Sequence, residues 1–314
     1  MNGRWFALAA AVVLLAGVPW FGNAVLIQFG INALLIAVLA QSWNILGGFA
    51  GYVSFGNSVF YGLGSYGVAI AMAQWNLPFW VGLIFAATIA VAFAALLGWP
   101  ILRLRGPYFA IVTLGISAAM SALASNLDIA GKNVGLILPL TRNDTLFYEA
   151  ALVLLAVATL TVAWIARSRF GMALIAIRED EDAAASVGVN ATRFKIAALA
   201  MAAFFTAIAG GIHAYWITYI DPAGSFDTTL DVRMVIMTMF GGPGTVFGPL
   251  IGAFTLSAVY DVLASSISTA AALLFGLVIV LAVIFMPRGV WDLAGGFRRE
   301  GARYFLQNIR AHRL

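Results

Sequence analysis

The chain has no cysteine in 314 residues, which excludes disulfides, thiolate metal sites and cysteine nucleophiles. Histidine is nearly as scarce. His213 stands near the end of an apolar run and His312 in the tail, with no metal-ligand spacing around either. For His213 a packed or interfacial imidazole is the plainer reading. No G-x-x-x-x-G-K-[ST] pattern occurs: Gly131-Lys132 is followed by Asn133, so the chain has no phosphate-cradling loop with which to hydrolyse ATP itself. Charge is sparse as well. Only 10% of residues are charged, against about a quarter in soluble domains.

What is abundant is apolar surface. Hydrophobic residues make up 63% of the chain and the mean hydropathy is +0.98, the composition of an all-α polytopic membrane protein. The net charge of +4 and the pI near 9.6 would suit a nucleic-acid binder. The basic residues, however, lie almost entirely in short segments flanking apolar runs, as the positive-inside bias predicts. They report topology, and no nucleic-acid partner is expected.

Runs of spanning length, about 20 residues each, fall near 6–22, 24–46, 54–74, 79–102, 108–127, 146–166, 194–216, 230–246, 248–264 and 269–286. The expected architecture is therefore about ten transmembrane helices, forming a single transmembrane domain over 1–314. Arg4, the Arg103/Arg105 pair, the 167–195 segment and the tail arginines (Arg288, Arg298, Arg299, Arg303, Arg310 and Arg313) are all expected on the cytoplasmic side. An even number of spans separates each pair of these landmarks. Both termini are then cytoplasmic and the Asp128–Asp144 loop external. The first run could instead be a cleaved signal peptide, although Val18-Pro-Trp-Phe-Gly-Asn-Ala24 offers no clear small-x-small site. The basic tail, 287–314, could bind anionic membrane lipid or simply fix topology.

Between two long apolar runs lies the most charged stretch, holding Arg167, Arg169, Arg178, Glu179, Asp180, Glu181, Asp182, Arg193 and Lys195. Locally, Arg178 to Asn190 reads as one short helix. Four acids occupy its first turn, where the helix dipole favours negative charge, Ala183, Ala184 and Ala185 continue it, and Gly188 supplies a left-handed stop. Such a helix is ~13 Å long at ~1.5 Å per residue and has the form of a docking peg. An ordinary wet loop would have the same composition.

Two glycine-rich interruptions resemble each other: Gly47-Gly-Phe-Ala-Gly-Tyr-Val-Ser-Phe-Gly56 and Gly241-Gly-Pro-Gly-Thr-Val-Phe-Gly-Pro249. Broken segments at membrane depth are tolerated only beside a cavity or inside protein, which makes Asn44, Gly47, Gly48, Gly51, Ser54, Asn57, Gly241, Gly242 and Gly244 candidates for a translocation path. Tight packing through small residues is the structural alternative. Both segments fall near the cytoplasmic side, which does not fit a simple inverted repeat. Intramembrane ionisable groups, the usual mark of ion coupling, are few: Arg233, beside Asp231, and Asp261, all read as near span ends. Gln28, Asn32, Gln41, Asn44 and Asn57 supply neutral polarity, for which interhelical hydrogen bonding is the simpler role.

Several of these patterns together resemble a family. Trp43-Asn-Ile-Leu-Gly-Gly48, Gly51-Tyr-Val-Ser-Phe-Gly56 and Gly62-x-Gly-x-Tyr66 come first; Leu104-Arg-Gly-Pro-Tyr-Phe-Ala-Ile-Val-Thr-Leu114 follows. Then come Ser168-Arg-Phe-Gly-Met-Ala-Leu-Ile-Ala-Ile-Arg-Glu179, Gly188-Val-Asn190 and the Gly241–Pro249 segment. In this order and spacing, from about Ser42 to Arg288, the chain resembles the membrane subunits of bacterial branched-chain amino-acid ABC importers, of the LivM type. The resemblance implies a coupling helix with a Glu-Ala-Ala-x-x-x-Gly pattern that sits in a groove of an ATPase subunit. Asp182-Ala-Ala-x-x-x-Gly188 fits that pattern with Asp in the Glu position and Glu181 just before it, leaving open which carboxylate makes the contact. The implied coupling residues are Arg178, Glu179, Asp180, Glu181, Asp182, Ala183, Ala184 and Gly188. The implied partners are a LivH-type second permease, two P-loop ATPases carrying ATP and Mg, and a periplasmic binding protein, at the bacterial cytoplasmic (inner) membrane. No cofactor is expected on this chain. Related permeases carry urea or short amides, which leaves the substrate open. A stand-alone secondary transporter is disfavoured by the scarcity of intramembrane carboxylates, and a membrane-embedded enzyme by the lack of any nucleophile–base pair.

Overall fold

The computed structural model describes residues 15–141, 143–266, 276 and 289–291. Several helix starts follow polar residues that receive their first free N–H groups. A short α1 (Val18–Phe21) leads to Asn23, whose side chain accepts from Leu26 N at 2.9 Å and opens α2 (Ala24–Trp43). α2 passes into a π-helical turn, Asn44–Gly48. The chain then runs without regular structure from Gly51 to Gly56 before α3 (Asn57–Ala73).

α4 (Phe79–Ile101), α5 (Pro107–Asn126) and α6 (Asp144–Ile165) follow, the last capped by Asn143. Next come α7 (Arg169–Glu179), α8 (Glu181–Ser186) and the long α9 (Ala191–Ile217). A one-turn α10 (Pro222–Ser225), α11 (Thr228–Gly241) and α12 (Gly248–Ser266) complete the described helices. Among the described residues the strands are β1 (Leu136–Ile137) and β2 (Tyr219–Ile220), paired antiparallel.

Among the described residues, six helices are long and apolar enough to cross a membrane: Ala24–Gly48, Phe79–Ile101, Pro107–Asn126, Asp144–Ile165, Ala191–Ile217 and Gly248–Ser265. The expected count of about ten is therefore not confirmed among the described residues. The runs at 54–74 and 230–246 do form helices, but of 17 and 14 residues. Both are shortened by the glycine-rich breaks beside them. The run at 6–22, apart from its last residues, the run at 269–286, apart from Gly276, and the basic tail beyond Trp291 lie outside the described residues.

α9 is the axis of the bundle. Its buried face is built of small side chains, including Ala198, Ala202, Ala203, Ala207, Gly210 and Ala214, because apolar association inside a bilayer is driven by close packing rather than by escape from water. At Gly64 a β-carbon would stand 2.0 Å from the Ala207 carbonyl oxygen, so α3 and α9 touch backbone to backbone. Ser65 fixes the register with a 3.1 Å hydrogen bond to the Gly210 carbonyl.

The 27-residue α9 also separates two ends of the molecule, ~40 Å apart. At one end β2 pairs with β1, tying the 127–143 loop to the bundle. At the other end, α7 and α8 meet the start of α9.

Candidate functional site

The charged stretch is two helices rather than one, which corrects the expected helix from Arg178 to Asn190. Ser168 caps α7, and the run Met172–Ile177 carries that helix through Arg178 and Glu179. Asp180 then adopts an extended conformation and its carboxylate accepts from Asp182 N (2.9 Å) and Ala183 N (3.0 Å). Asp180 is the better cap, so only Glu181 and Asp182 remain in the first turn of a six-residue α8. The stop is as expected: Gly188 has φ of +89°, with the N–H groups of Gly188 and Val189 returning to Ala185 O and Ala184 O.

The two carboxylates of α8 are both engaged within the chain. Glu181 accepts from the buried Lys195 ammonium at 2.8 Å and from the Tyr52 hydroxyl, with Arg105 Nε 3.6 Å away. Lys195 also donates to Tyr52 Oη (2.9 Å) and to the Leu102 carbonyl (2.7 Å), which satisfies all three of its protons. Asp182 receives the Arg105 guanidinium bidentately, at 2.8 and 3.0 Å. Burial works against the Glu181 charge, yet the hydrogen bonds from Lys195 and Tyr52 and the nearby Arg105 outweigh it and hold the carboxyl below its ordinary range. The Arg105 hydrogen bonds do the same for Asp182. Tyr52 is pushed up, first by burial and then by its bond to Glu181.

Arg178 reaches the first glycine-rich segment. Its Nη1 donates to the Gly48 carbonyl at 3.1 Å, and its stem lies so close over Gly51 that a β-carbon there would stand 2.6 Å from Cγ. Glu179 turns outward, holding the Arg178 guanidinium at 2.9 Å. Of α8 and its C-cap, Ala184 is buried, while Ala183, Ala185 and the capping Val187 face outward.

The two glycine-rich segments, far apart in sequence, pack on each other where Gly48 meets Gly244. Asn44 grips the middle of the second one: Oδ1 accepts from Gly244 N (2.8 Å) and Nδ2 donates to Thr245 O (2.9 Å). Gln41 adds a bond to Val246 O at 2.8 Å. A β-carbon on Gly48 would lie 2.5 Å from Gly244 N and 1.9 Å from Asn44 Oδ1, so neither backbone could approach with a larger residue at that position. Gly241 and Gly242 are buried at the turn into α12, where Thr245 Oγ1 bonds Gly242 O and Gly248 N. Gly47 lies against the Trp43 indole, whose Nε1 donates to Ser54 O at 2.8 Å. Asn44, Gly48 and Gly244 thus meet in one packed junction beside Gly241 and Gly242, whereas Gly51 lies under Arg178; Gln41 and Asn44 bond the backbone of the connection between α11 and α12 rather than a neighbouring helix.

Sequence reasoning missed the group below this junction. Asp231 is fully buried and takes the N–H (2.9 Å) and hydroxyl (2.6 Å) of Ser58, capping α3 from another helix. Asn57, a path candidate, presents its backbone to the same carboxylate. Ser58 Oγ continues to Ser117 at 3.0 Å. No local signal marks this pairing, since the cap lies 173 residues from the helix it closes. His213 is packed between the rings of Tyr61 and Trp216.

Residues 25–285 match the family described as branched-chain amino acid transport system / permease component. The chain is 28% identical to the high-affinity branched-chain amino acid transport system permease proteins LivM of Salmonella typhimurium and Escherichia coli, over 90% of this chain and 74% of each relative. It is 24% identical to a probable LivM of Methanocaldococcus jannaschii, over 91% of both chains. No solved structure matches. The match covers most of the chain and both glycine-rich segments, so this multi-pass membrane protein belongs to the family of permease components of branched-chain amino acid transport systems.

Proposed function

We propose that this chain is the LivM-type permease subunit of an ATP-binding-cassette importer in the bacterial cytoplasmic membrane, moving branched-chain amino acids inward by alternating access. In this reading a LivH-type permease completes the membrane pore, and two P-loop ATPases supply ATP and Mg. A periplasmic binding protein delivers the ligand. The observation that carries the reading is the bonding of α7 and α8 to the broken helix: Arg178 holds Gly48, and Glu181 holds Tyr52.

A push on the outward face of α8, at Ala183, Ala185 and Val187, reaches Gly51–Gly56 through these two bonds. Gly48 lies against Gly244, so the same movement loads the junction between the two glycine-rich segments. Packed junctions of this kind switch between discrete arrangements rather than deforming smoothly. Each state needs its own contacts to be favoured, and the Asn44–Gly244 and Asn44–Thr245 bonds are those of the arrangement seen here. On this view the path candidates line a route only after the two segments part.

The test is mass spectrometry of whatever co-purifies with the chain, tagged at its carboxyl end, from gently solubilised native membranes. Two P-loop ATPases and a second permease are the expected companions. Recovery of the chain alone, active in liposomes without ATP, would overturn the reading in favour of a secondary carrier.

A further inference from the structure

Arg233 lies on the exposed face of α11, two residues from the buried Asp231. The depth of that turn is set by its partners. Asp231 binds Ser58, and Ser58 binds Ser117, midway along the 20-residue α5. Arg233 therefore stands level with the middle of the spanning helix α5, not at a span end as its sequence position suggests, because α11 begins inside the bundle. A guanidinium at that depth cannot face hydrocarbon, and such residues border a water-filled cavity or a partner.

The structure supplies a cavity. About 380 Å³ in volume, it lies between α2, α11 and α12, within the range of small-molecule sites, ~300–1,000 Å³. Six polar side chains converge on it: Gln28 and Asn32 from α2, Arg233 from α11, and Ser257, Tyr260 and Asp261 from α12. The Arg233 guanidinium lies over the Tyr260 ring at 5.5 Å, a geometry that orients it. Ser257 is 8% exposed, and its hydroxyl has no hydrogen-bond partner among the described residues. A buried hydroxyl left in this way calls for a ligand or a water. Phe29, Ile36 and Met237 complete the wall with apolar surface.

We propose that this cavity binds a free amino acid with an apolar side chain. Arg233 takes its carboxylate, Asp261 its ammonium group, and Phe29, Ile36 and Met237 its side chain. The inference rests on the transport reading above and sharpens it, because a cation and an anion at one apolar cavity select a zwitterion over a neutral amide. Gln28, Asn32 and Ser257 serve as neutral hydrogen-bonding groups around the same ligand.

The experiment uses the complex of this chain with its partner subunits in proteoliposomes, with leucine as the zwitterion and isovaleramide as the neutral amide. Arg233→Gln and Asp261→Asn are each expected to assemble with the partners on size exclusion and to raise the Michaelis constant for leucine about tenfold, the effect of losing one charge-assisted hydrogen bond. The maximal rate should change far less. Because the chain has no cysteine, a second readout is available: Asn32→Cys should react with a thiol reagent, and saturating leucine should slow that reaction. Leucine import by both charge variants at the wild-type Michaelis constant, or labelling of Asn32→Cys indifferent to leucine, would overturn the site while leaving the importer reading intact. Failure of the wild-type complex to import leucine, with isovaleramide transported instead, would overturn the importer's substrate and the site together.

Discussion

Glu181 is where chemistry and mechanics meet, because one carboxylate joins three elements. It binds Lys195 at the start of α9 and Tyr52 on the unwound segment, and it lies beside Arg105 in the α4–α5 connection. Lys195→Met would leave this carboxylate with only the more distant, exposed Arg105, and we expect a loss of about 3 kcal/mol in a thermal or denaturant melt of the solubilised protein. The pH dependence follows from the depressed ionisation of Glu181. A group whose folded pKa is lowered stabilises the protein fully above its unfolded pKa and progressively less as pH falls through the folded value. The stability gap between wild type and Glu181→Gln should therefore be constant from neutrality down to the ordinary glutamate range and close below it. A gap undiminished at about pH 3 would show that the bond is not ionic. Asp231→Ala should cost about 2 kcal/mol in the same melt, since it uncaps α3 and leaves the Ser58 N–H unmet; Asp231→Asn should recover part of that. None of these pairs was legible in the sequence. Lys195 read only as one more charge in a polar stretch, and its partner Tyr52 is 143 residues away.

At the scale of elements, α8 is legible in kind but not in extent. Its alanines, its glycine stop and its acidic start are local features. The start at Asp180 depended on which acid captured the free N–H groups. Gly188→Pro cannot keep the φ of +89° or the N–H bond to Ala185, and we expect it to abolish ATP-driven import while the bundle stays folded. Reversing Glu181 to Lys, by contrast, sets two ammonium groups against each other at a site where Lys195 is 1% exposed, so it would disturb the bundle as well as the docking. The glycine-rich breaks make a second case. Gly48→Ala places a β-carbon 1.9 Å from Asn44 Oδ1, and the junction must open to hold it. We expect import to fall at least tenfold and the melt to drop by about 1–3 kcal/mol. Normal import by Gly48→Ala would show that the close approach of the two segments is dispensable.

For the whole molecule, the outward residues of α8 are separable from its inward ones. Ala185 and Val187 are exposed, whereas Glu181 and Ala184 face the bundle. Val187→Asp should leave the melting temperature of the isolated chain unchanged and prevent co-purification of the ATPase subunits. A complex that survives this substitution would place the docking face elsewhere on the chain.

Composition and periodicity alone determined that this is a helical membrane protein, because a chain with 63% hydrophobic residues and 10% charged ones, arranged in continuous runs of about 20 rather than in alternation, satisfies its backbone in a bilayer by coiling it. Order and spacing of short patterns determined the family, and local capping rules gave α8 its outline. Tertiary structure decided the rest. It alone joined the two glycine-rich segments through Asn44, turned Glu181 inward to Lys195 and Tyr52, and brought Arg233 and Asp261 to one cavity. The physical reason is that hydrogen bonds and ion pairs are set by distance in space. Along the chain these partners are separated by anything from 14 to 200 residues, and no local pattern records which of them will meet.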